Sequence, residues 1–200
     1  MTDIVKKPAV DSPSEFAAGI GLKFSNPSLL SRSLTHSSFL NEHPEALEDN
    51  ERLEFLGDAV LDFVVGAWLY HRYPEKNEGD LTRIRAALVR TEKLAEFGRE
   101  INLGPAINLG NGEEENGGRT RDALLCGTFE ALIGALYLDS KITAVEEFIS
   151  PFLQAATDVI LSNRKDRDAK GLLQEWVQAQ GYDAPEYVVI SESGPDHDKS

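Results

Sequence analysis

Between Asn50 and Asp62 the chain carries a pattern that leaves little choice about local structure. At about 100° per residue, Leu53, Leu56, Val60, Phe63, Val64 and Ala67 fall on one side of a helix, and Glu51, Glu54, Asp58 and Asp62 fall on the other. The first side predicts a helix seated in a core. The second needs another explanation, because like charges at i, i+3 and i+4 repel and cost helix stability. Either the stripe is a solvated face, or a divalent cation held by oxygen ligands relieves the repulsion. Spacing alone leaves both open.

A further carboxylate stands out for its surroundings. Glu130 lies in the middle of an apolar helix predicted over 120–139, with Ala123, Gly127 and Gly134 within about 60° of it on the helical wheel. That strip of small residues lets a second helix approach closely. A carboxylate left unpaired there is costly, so a cation is a sensible partner. Hydrolysis of a phosphodiester by hard cations needs carboxylates converging from more than one element, and these two helices supply them.

Net charge is −14, which speaks against a passive nucleic-acid binder, since phosphate contacts need bases. The distribution tells more than the sum. Residues 44–62 hold seven acids and one base, whereas 79–99 hold five bases and three acids. A concentrated acidic cluster beside a basic helix suits an enzyme that brings cations to a phosphodiester. The one cysteine, Cys126, excludes an internal disulfide. No uninterrupted apolar run reaches the roughly 20 residues of a membrane span and no signal peptide is evident, so the expectation is a cytoplasmic protein with no membrane partner.

Helical patterning dominates. Short helices are predicted over 14–18 and from Pro27, which carries Leu29, Leu30 and Leu34 inward. The acidic helix runs from Asn50, its predicted N-cap, to before Pro74, and a basic helix covers 79–99. Residues 102–118 hold five glycines, four asparagines and Pro105 and read as a long irregular loop. Helix resumes over 143–161, with a break predicted where Ser150 caps Pro151. Residues 162–169 read as a linker. Beyond it come an amphipathic helix over 171–180, a strand-like run Tyr187-Val188-Val189-Ile190 and a turn at Gly194-Pro195-Asp196-His197.

Four stretches fall in one order: Thr35-His36-Ser37-Ser38-Phe39, the twelve residues from Asn50 to Leu61, Glu78-Gly79-Asp80-Leu81-Thr82-Arg83-Ile84-Arg85-Ala86, and Phe129-Glu130-Ala131-Leu132-Ile133-Gly134-Ala135. Together they resemble the ribonuclease III family, endonucleases that cut double-stranded RNA, and the resemblance spans residues 15–160. It implies an all-α endonuclease domain over 14–161, after a fraying segment over 1–13. Residues 170–200 resemble the opening of an α+β double-stranded-RNA-binding domain, read as ending before its basic half: residues 168–200 carry two bases and seven acids.

The resemblance also assigns roles. Asp58 and Glu130 match the essential acids and Glu54 matches a direct metal ligand, the metal being Mg2+ with Mn2+ as substitute. Glu51 and Glu78 match further acids that act through water or from behind the ligands. Phe55 matches the anchor of a homodimer, inserted into a socket on the partner, so that two sites each cut one strand. Arg83, Arg85 and Arg90 are candidates for gripping RNA phosphates, and Gln174, Glu175 and His197 match RNA contacts of the second module. His36, with no second His or Cys nearby, is expected to be a structural hydrogen-bonding residue, and Cys126 a small core residue. The implied products are short duplexes with 5′-phosphates, 3′-hydroxyls and 3′ overhangs, from rRNA and mRNA processing.

One position departs from the family. An aspartate usually stands three residues before the glutamate at 130, and here that position is Gly127. Water could fill the gap, Asp122 could approach, or activity could fall. On the first reading, Gly127→Asp lowers the Mg2+ requirement. On the last, the chain is a double-stranded-RNA-binding or RNA-maturation factor with a crippled site. A helical hydrolase of nucleotides would explain the acids but not the arginine-rich helix.

Overall fold

Two stretches of backbone that touch without side chains between them set the geometry of the molecule. The helix Glu51–Arg72 and the helix that begins at Asp122 cross at Gly57 and Gly134. A Cβ added at Gly57 would overlap the Glu130 carbonyl and lie 3.0 Å from the Gly134 nitrogen. One added at Gly134 would overlap the Leu53 carbonyl and lie 3.1 Å from the Gly57 nitrogen. The small-residue strip predicted around Glu130 is this contact.

The computed structural model describes residues 12–182 except Pro44 and Leu47, with backbone alone for 163–175 and Ala179. Among the described residues the fold is all-α, and Thr35 and Asn108 form an isolated parallel bridge. In chain order come α1 (Pro13–Gly19), α2 (Pro27–Ser33), α3 (Ser37–Leu40), α4 (Glu51–Arg72), α5 (Glu78–Leu88) and α6 (Thr91–Glu100). They are followed by α7 (Leu103–Ala106), α8 (Asn111–Glu115), a 3-10 turn (Gly118–Thr120) and α9 (Asp122–Ala179). The chain divides into two units, Met1–Thr157 and Asp158–Ser200.

In the first unit α4 and α9 form the centre. Leu53, Val60, Leu61, Val64, Val65 and Leu69 of α4 are buried, as are Phe129 and the run from Ala131 to Leu136 of α9. Phe97 of α6 meets Phe129 and Phe152 at ring-centroid distances of 6.0 and 5.3 Å, and Phe148 extends the cluster. At the other end the Asp139 carboxylate accepts the backbone N–H groups of Ser25 and Asn26 at 3.0 and 2.7 Å, tying the α1–α2 turn to α9. The stretch Asp122–Ser162 is apolar and long enough to cross a membrane, but 67% of its most apolar window is buried inside the fold, as in a core helix.

Several expectations are corrected. Phe63 is 63% exposed rather than in the core, because the crossing at Gly57 turns α4 so that Leu61, Val65 and Leu69 point inward. Asn50 precedes α4 in an αR conformation and makes no side-chain cap. Its amide instead donates to the Ser33 carbonyl at 3.3 Å, while the Asp49 carboxylate takes the Glu51 N–H at 3.2 Å. The basic helix is two helices, interrupted where Arg90 is extended (φ −68, ψ 152). The helix does not break at Pro151. Ser150 Oγ donates to the Glu146 carbonyl at 2.6 Å and the proline ring faces solvent. The interruption in α9 falls at Lys141 (φ 71, ψ −177), in a region that side-chain-bearing residues rarely adopt.

The glycine-rich loop is also more ordered than composition suggests. It contains α7 and α8, and the Arg119 guanidinium donates to the carbonyls of Gly104, Pro105 and Ile107 at 3.0, 3.1 and 2.7 Å and to Glu114 at 3.1 Å.

In the second unit the backbone is helical through 162–169, where the sequence reads as a linker, and on to Ala179. The helix ends at Gly181 (φ 80), whose N–H reaches the Gln178 carbonyl at 2.9 Å. Trp176 and Tyr182 are exposed. The side chains of Gln174 and Glu175, the strand-like run at 187–190 and His197 lie outside the described residues.

Gly57→Ala puts a methyl group into backbone that cannot yield. It is expected to destabilise the protein by about 3 kcal/mol or more, a fall in Tm of roughly 6–12 °C in a thermal melt followed by circular dichroism.

Candidate metal centre

The crossing that buries Gly57 also sets the acids. Glu54 and Asp58, one turn apart on α4, flank Gly57, and Glu130 comes from the turn of α9 that Gly57 touches. Glu51 and Asp58 are exposed, whereas Glu54 and Glu130 are half-buried. A cleft of about 230 Å³ lies beside Glu54, bounded also by His36, Glu113, Arg121, Gly127 and Thr128.

Electrostatics ties the three acids together. Burial raises the Glu130 carboxyl to about 7, opposed by the Cys126 thiol that donates to it at 3.5 Å and reinforced by the charges of Asp58 and Glu54. Burial likewise raises Glu54, helped by Glu51 and Asp58 and opposed by His36. The Cys126 thiol, buried beside Glu130, is pushed up to about 12 and stays a thiol, in keeping with a core role. These are carboxylates held together against their own repulsion, in a part of the fold where desolvation works against charge.

Does such a set fit a divalent cation? Its donors are hard oxygens from two elements, and an added positive charge would oppose the raising effects on Glu130 and Glu54. As the side chains stand, no three His, Cys, Asp or Glu among the described residues close into a ligand set. At Gly127 the Glu54 carboxylate leans across the glycine: a Cβ there would lie 2.8 Å from Oε2 and 2.9 Å from Cδ. These are the flexible end of one side chain, and by the chemistry of their donors Glu54, Asp58 and Glu130 suit a hard cation.

The remaining candidates divide. Asp122 pairs with Arg99, which leaves it unsuited to take the place of the missing aspartate. His36 caps α3, its Nδ1 accepting the Ser38 N–H at 3.2 Å, which is the structural role expected of it, and its charge also acts on Glu54. Glu78 begins α5 and accepts the Thr82 hydroxyl at 3.3 Å, in a hollow with Tyr70, Lys76 and Arg85, and is not brought to the three acids within the chain. Arg83, Arg85 and Arg90 are all exposed, with Arg83 paired to Asp80 and Arg90 3.8 Å from Glu92. Arg121, which the sequence did not single out, borders the cleft and pairs with Glu113. The only hint of it was its place at the end of the glycine-rich loop.

Phe55 is 80% exposed, so it does not pack against a helix of its own chain. Phe63 and Tyr70 are exposed as well, within about 80° of Phe55 on the surface of α4.

Comparison with known proteins places these features in context. A family model described as Ribonuclease-III-like matches residues 26–156. A ribonuclease 3 from Roseiflexus is 46% identical over 189 residues, covering 93% of this chain and 80% of that protein. One from Enterococcus faecalis is 46% identical over 188 residues, covering 94% and 81%. Among solved structures, the nuclease domain of ribonuclease III from Campylobacter jejuni superposes with a TM-score of 0.64 at 37% identity, over 70% of this chain and 92% of that one. A second structure of that domain, described as showing structural flexibility in a region involved in dimer formation, gives 0.65.

The raised Glu130 fixes a pH dependence. Below its unfolded value of 4.5 the carboxyl is protonated in both states and costs nothing. As pH rises towards about 7 the folded state holds on to the proton, and above that it bears the full cost of a buried charge. Glu130→Gln is therefore expected to stabilise the metal-free protein at about pH 8, on the order of 1–2 kcal/mol after solvent screening, and to leave it unchanged at about pH 4. Urea unfolding in a chelator checks both.

Proposed function

Because the chain belongs to the ribonuclease III-like family, we propose that it is a Mg2+-dependent, homodimeric endoribonuclease that cuts both strands of duplex RNA. The observation that carries the reading is the meeting of Glu54, Asp58 and Glu130 where α4 and α9 cross. Four ordered motifs agree with it, whereas the nucleotide-hydrolase reading accounts for the acids alone.

Glu54 and Asp58 from α4 and Glu130 from α9 are the residues that would hold the cation. When bound, a divalent cation supplies Lewis-acid polarisation of the phosphodiester and hydroxide at neutral pH. Oxygen donors and a partly exposed site suit Mg2+, with Mn2+ as substitute. Near neutral pH a cation held there would favour the ionised form of Glu130, which burial otherwise disfavours. The overall change is the addition of water across one P–O bond, leaving a 5′-phosphate and a 3′-hydroxyl. Exposed Arg83, Arg85 and Arg90 offer charge to the backbone of the duplex, which offsets the acidity of the chain locally. Glu51 sits one turn before Glu54 and adds negative charge to the site rather than a contact to RNA.

The second copy docks at α4. Three large exposed side chains on one arc, Phe55, Phe63 and Tyr70, are more than the scattered apolar residues of an ordinary surface. A two-fold pairing on this face sets two acid sites along one duplex, one for each strand.

Incubated with long duplex RNA and Mg2+, the purified chain is expected to give short duplexes, and Glu130→Ala to give none. Intact RNA at every Mg2+ concentration, with the dimer folded, would point instead to a binding or degenerate protein. Phe55→Glu is expected to convert the dimer to monomer in sedimentation velocity while the circular dichroism spectrum stays helical.

A further inference from the structure

A hollow of about 660 Å³ in the first unit shares no residue with the cleft beside Glu54. Its walls are the turn over 19–23 that follows α1, the end of α6 at Glu100 and Ile101, and α9 on both sides of its interruption at Lys141. The volume is that of a small-molecule site. Ile101 and Leu136 of the lining are buried, and Ile20, Leu22, Phe148 and Phe152 are half-buried. The two rings stand 5.6 Å apart, and Phe152 lies 5.3 Å from Phe97, so the aromatic cluster holds this lining in place before any ligand arrives.

The polar part of the lining is mainly negative. Glu100 from α6 and Glu147 from α9 are exposed, and neither enters an ion pair among the described residues. Because α6 ends at Glu100, the negative end of its dipole lies at the same wall. On the other side of the balance are Lys23, also unpaired, and the helical turn that resumes after Lys141 and places Ala144 in the wall. Ser140 is engaged, its hydroxyl donating to Asp139 at 2.8 Å. An anion would face two carboxylates here. A wholly apolar ligand would strip water from them and give nothing back. A molecule with ammonium groups spaced along a methylene chain satisfies both parts of the lining, and the phenylalanine faces attract the same charge.

We infer that this hollow is a binding site for an aliphatic polyamine, whose methylene stem lies on Ile20, Leu22 and the two phenylalanines and whose ammonium groups meet Glu100 and Glu147. Bound there, it ties the turn after α1, the end of α6 and both stretches of α9 to one another. None of Glu54, Asp58 and Glu130 takes part, so the inference stands or falls apart from the nuclease reading.

A chain with a net charge of −14 also attracts polyamines diffusely, and the test separates a site from a cloud of counterions. Spermidine is titrated into the full chain at about 0.15 M salt, without RNA or metal, by calorimetry and by amide NMR. One saturable event is expected, with shifts at Gly19, Gly21 and Ile101. Glu100→Gln and Glu147→Gln are each expected to weaken binding about threefold, and together about tenfold. Lys23→Gln, which removes a repelling charge, is expected to tighten it about threefold. Ala144→Phe fills the hollow and is expected to abolish binding, with circular dichroism confirming the fold; if that variant does not fold, the charge variants decide. n-Butylamine, with one ammonium group, is expected to bind more weakly than spermidine. Shifts scattered over the surface, or a double glutamine variant that binds like the parent, would overturn the inference in favour of diffuse counterions. Inorganic phosphate moving the same amides while spermidine leaves them unchanged would overturn it in favour of an anion site.

Discussion

The contact between Gly57 and Gly134 is the constraint on which everything else in the first unit depends. With Leu53 and Glu130 carbonyls lying where side chains would otherwise stand, α4 and α9 approach by backbone alone. Such proximity brings Glu54, Asp58 and Glu130 into one another's fields, and no ordinary ridge-and-groove packing at 8–10 Å would do so. The energetic cost falls on the acids: burial and mutual repulsion raise both Glu130 and Glu54. The stability that offsets it is supplied elsewhere, by the buried faces of the same two helices and the phenylalanine cluster behind them. Packing and function are therefore in tension at one crossing, and the glycines make the tension possible.

Charge distribution follows the same logic. A chain with a net charge of −14 repels RNA at long range, yet its acids and bases are segregated. Many surface charges already neutralise one another in pairs, among them Arg83 with Asp80, Arg99 with Asp122 and Arg121 with Glu113. The acids of the site have no such basic partner among the ion pairs of the described residues.

Much of this was legible in the residues. The acidic and apolar stripes of α4, the start of α2 at Pro27 and the close approach at Gly134 follow from periodicity and residue size, which act locally. What was not legible depends on a partner in space. Phe63 lies at the edge of the apolar arc, and only the position of α9 decides that it faces outward. Asn50 has the residue type of a cap but is drawn to the Ser33 carbonyl by the α2–α3 turn. The loop over 102–118 has the composition of a coil, yet one side chain after it, Arg119, gathers three of its carbonyls. Pro151 reads as a break, but an exposed proline in a helix whose buried face is intact costs one hydrogen bond, and Ile149 and Leu153 hold the register on either side. At Gly127 the sequence shows the loss of a carboxylate but not where Glu54 leans, because rotamers are chosen by available volume.

The three faces of α4 explain why one helix carries so much. Its core face centres on Leu53, Gly57 and Val64, its acids on Asp58 and its exposed aromatics on Phe55, Phe63 and Tyr70, with the three directions separated by roughly a third of a turn each. Glu54 and Phe55 are neighbours in sequence, so the helical turn that presents a half-buried carboxylate to one side presents an exposed aromatic to another. Docking a second copy on the aromatic face would fix that turn from outside while α9 fixes it from within. The α4 backbone is clamped at Gly57, one turn from Glu54. The exposed aromatics and the acids thus share a single rigid element.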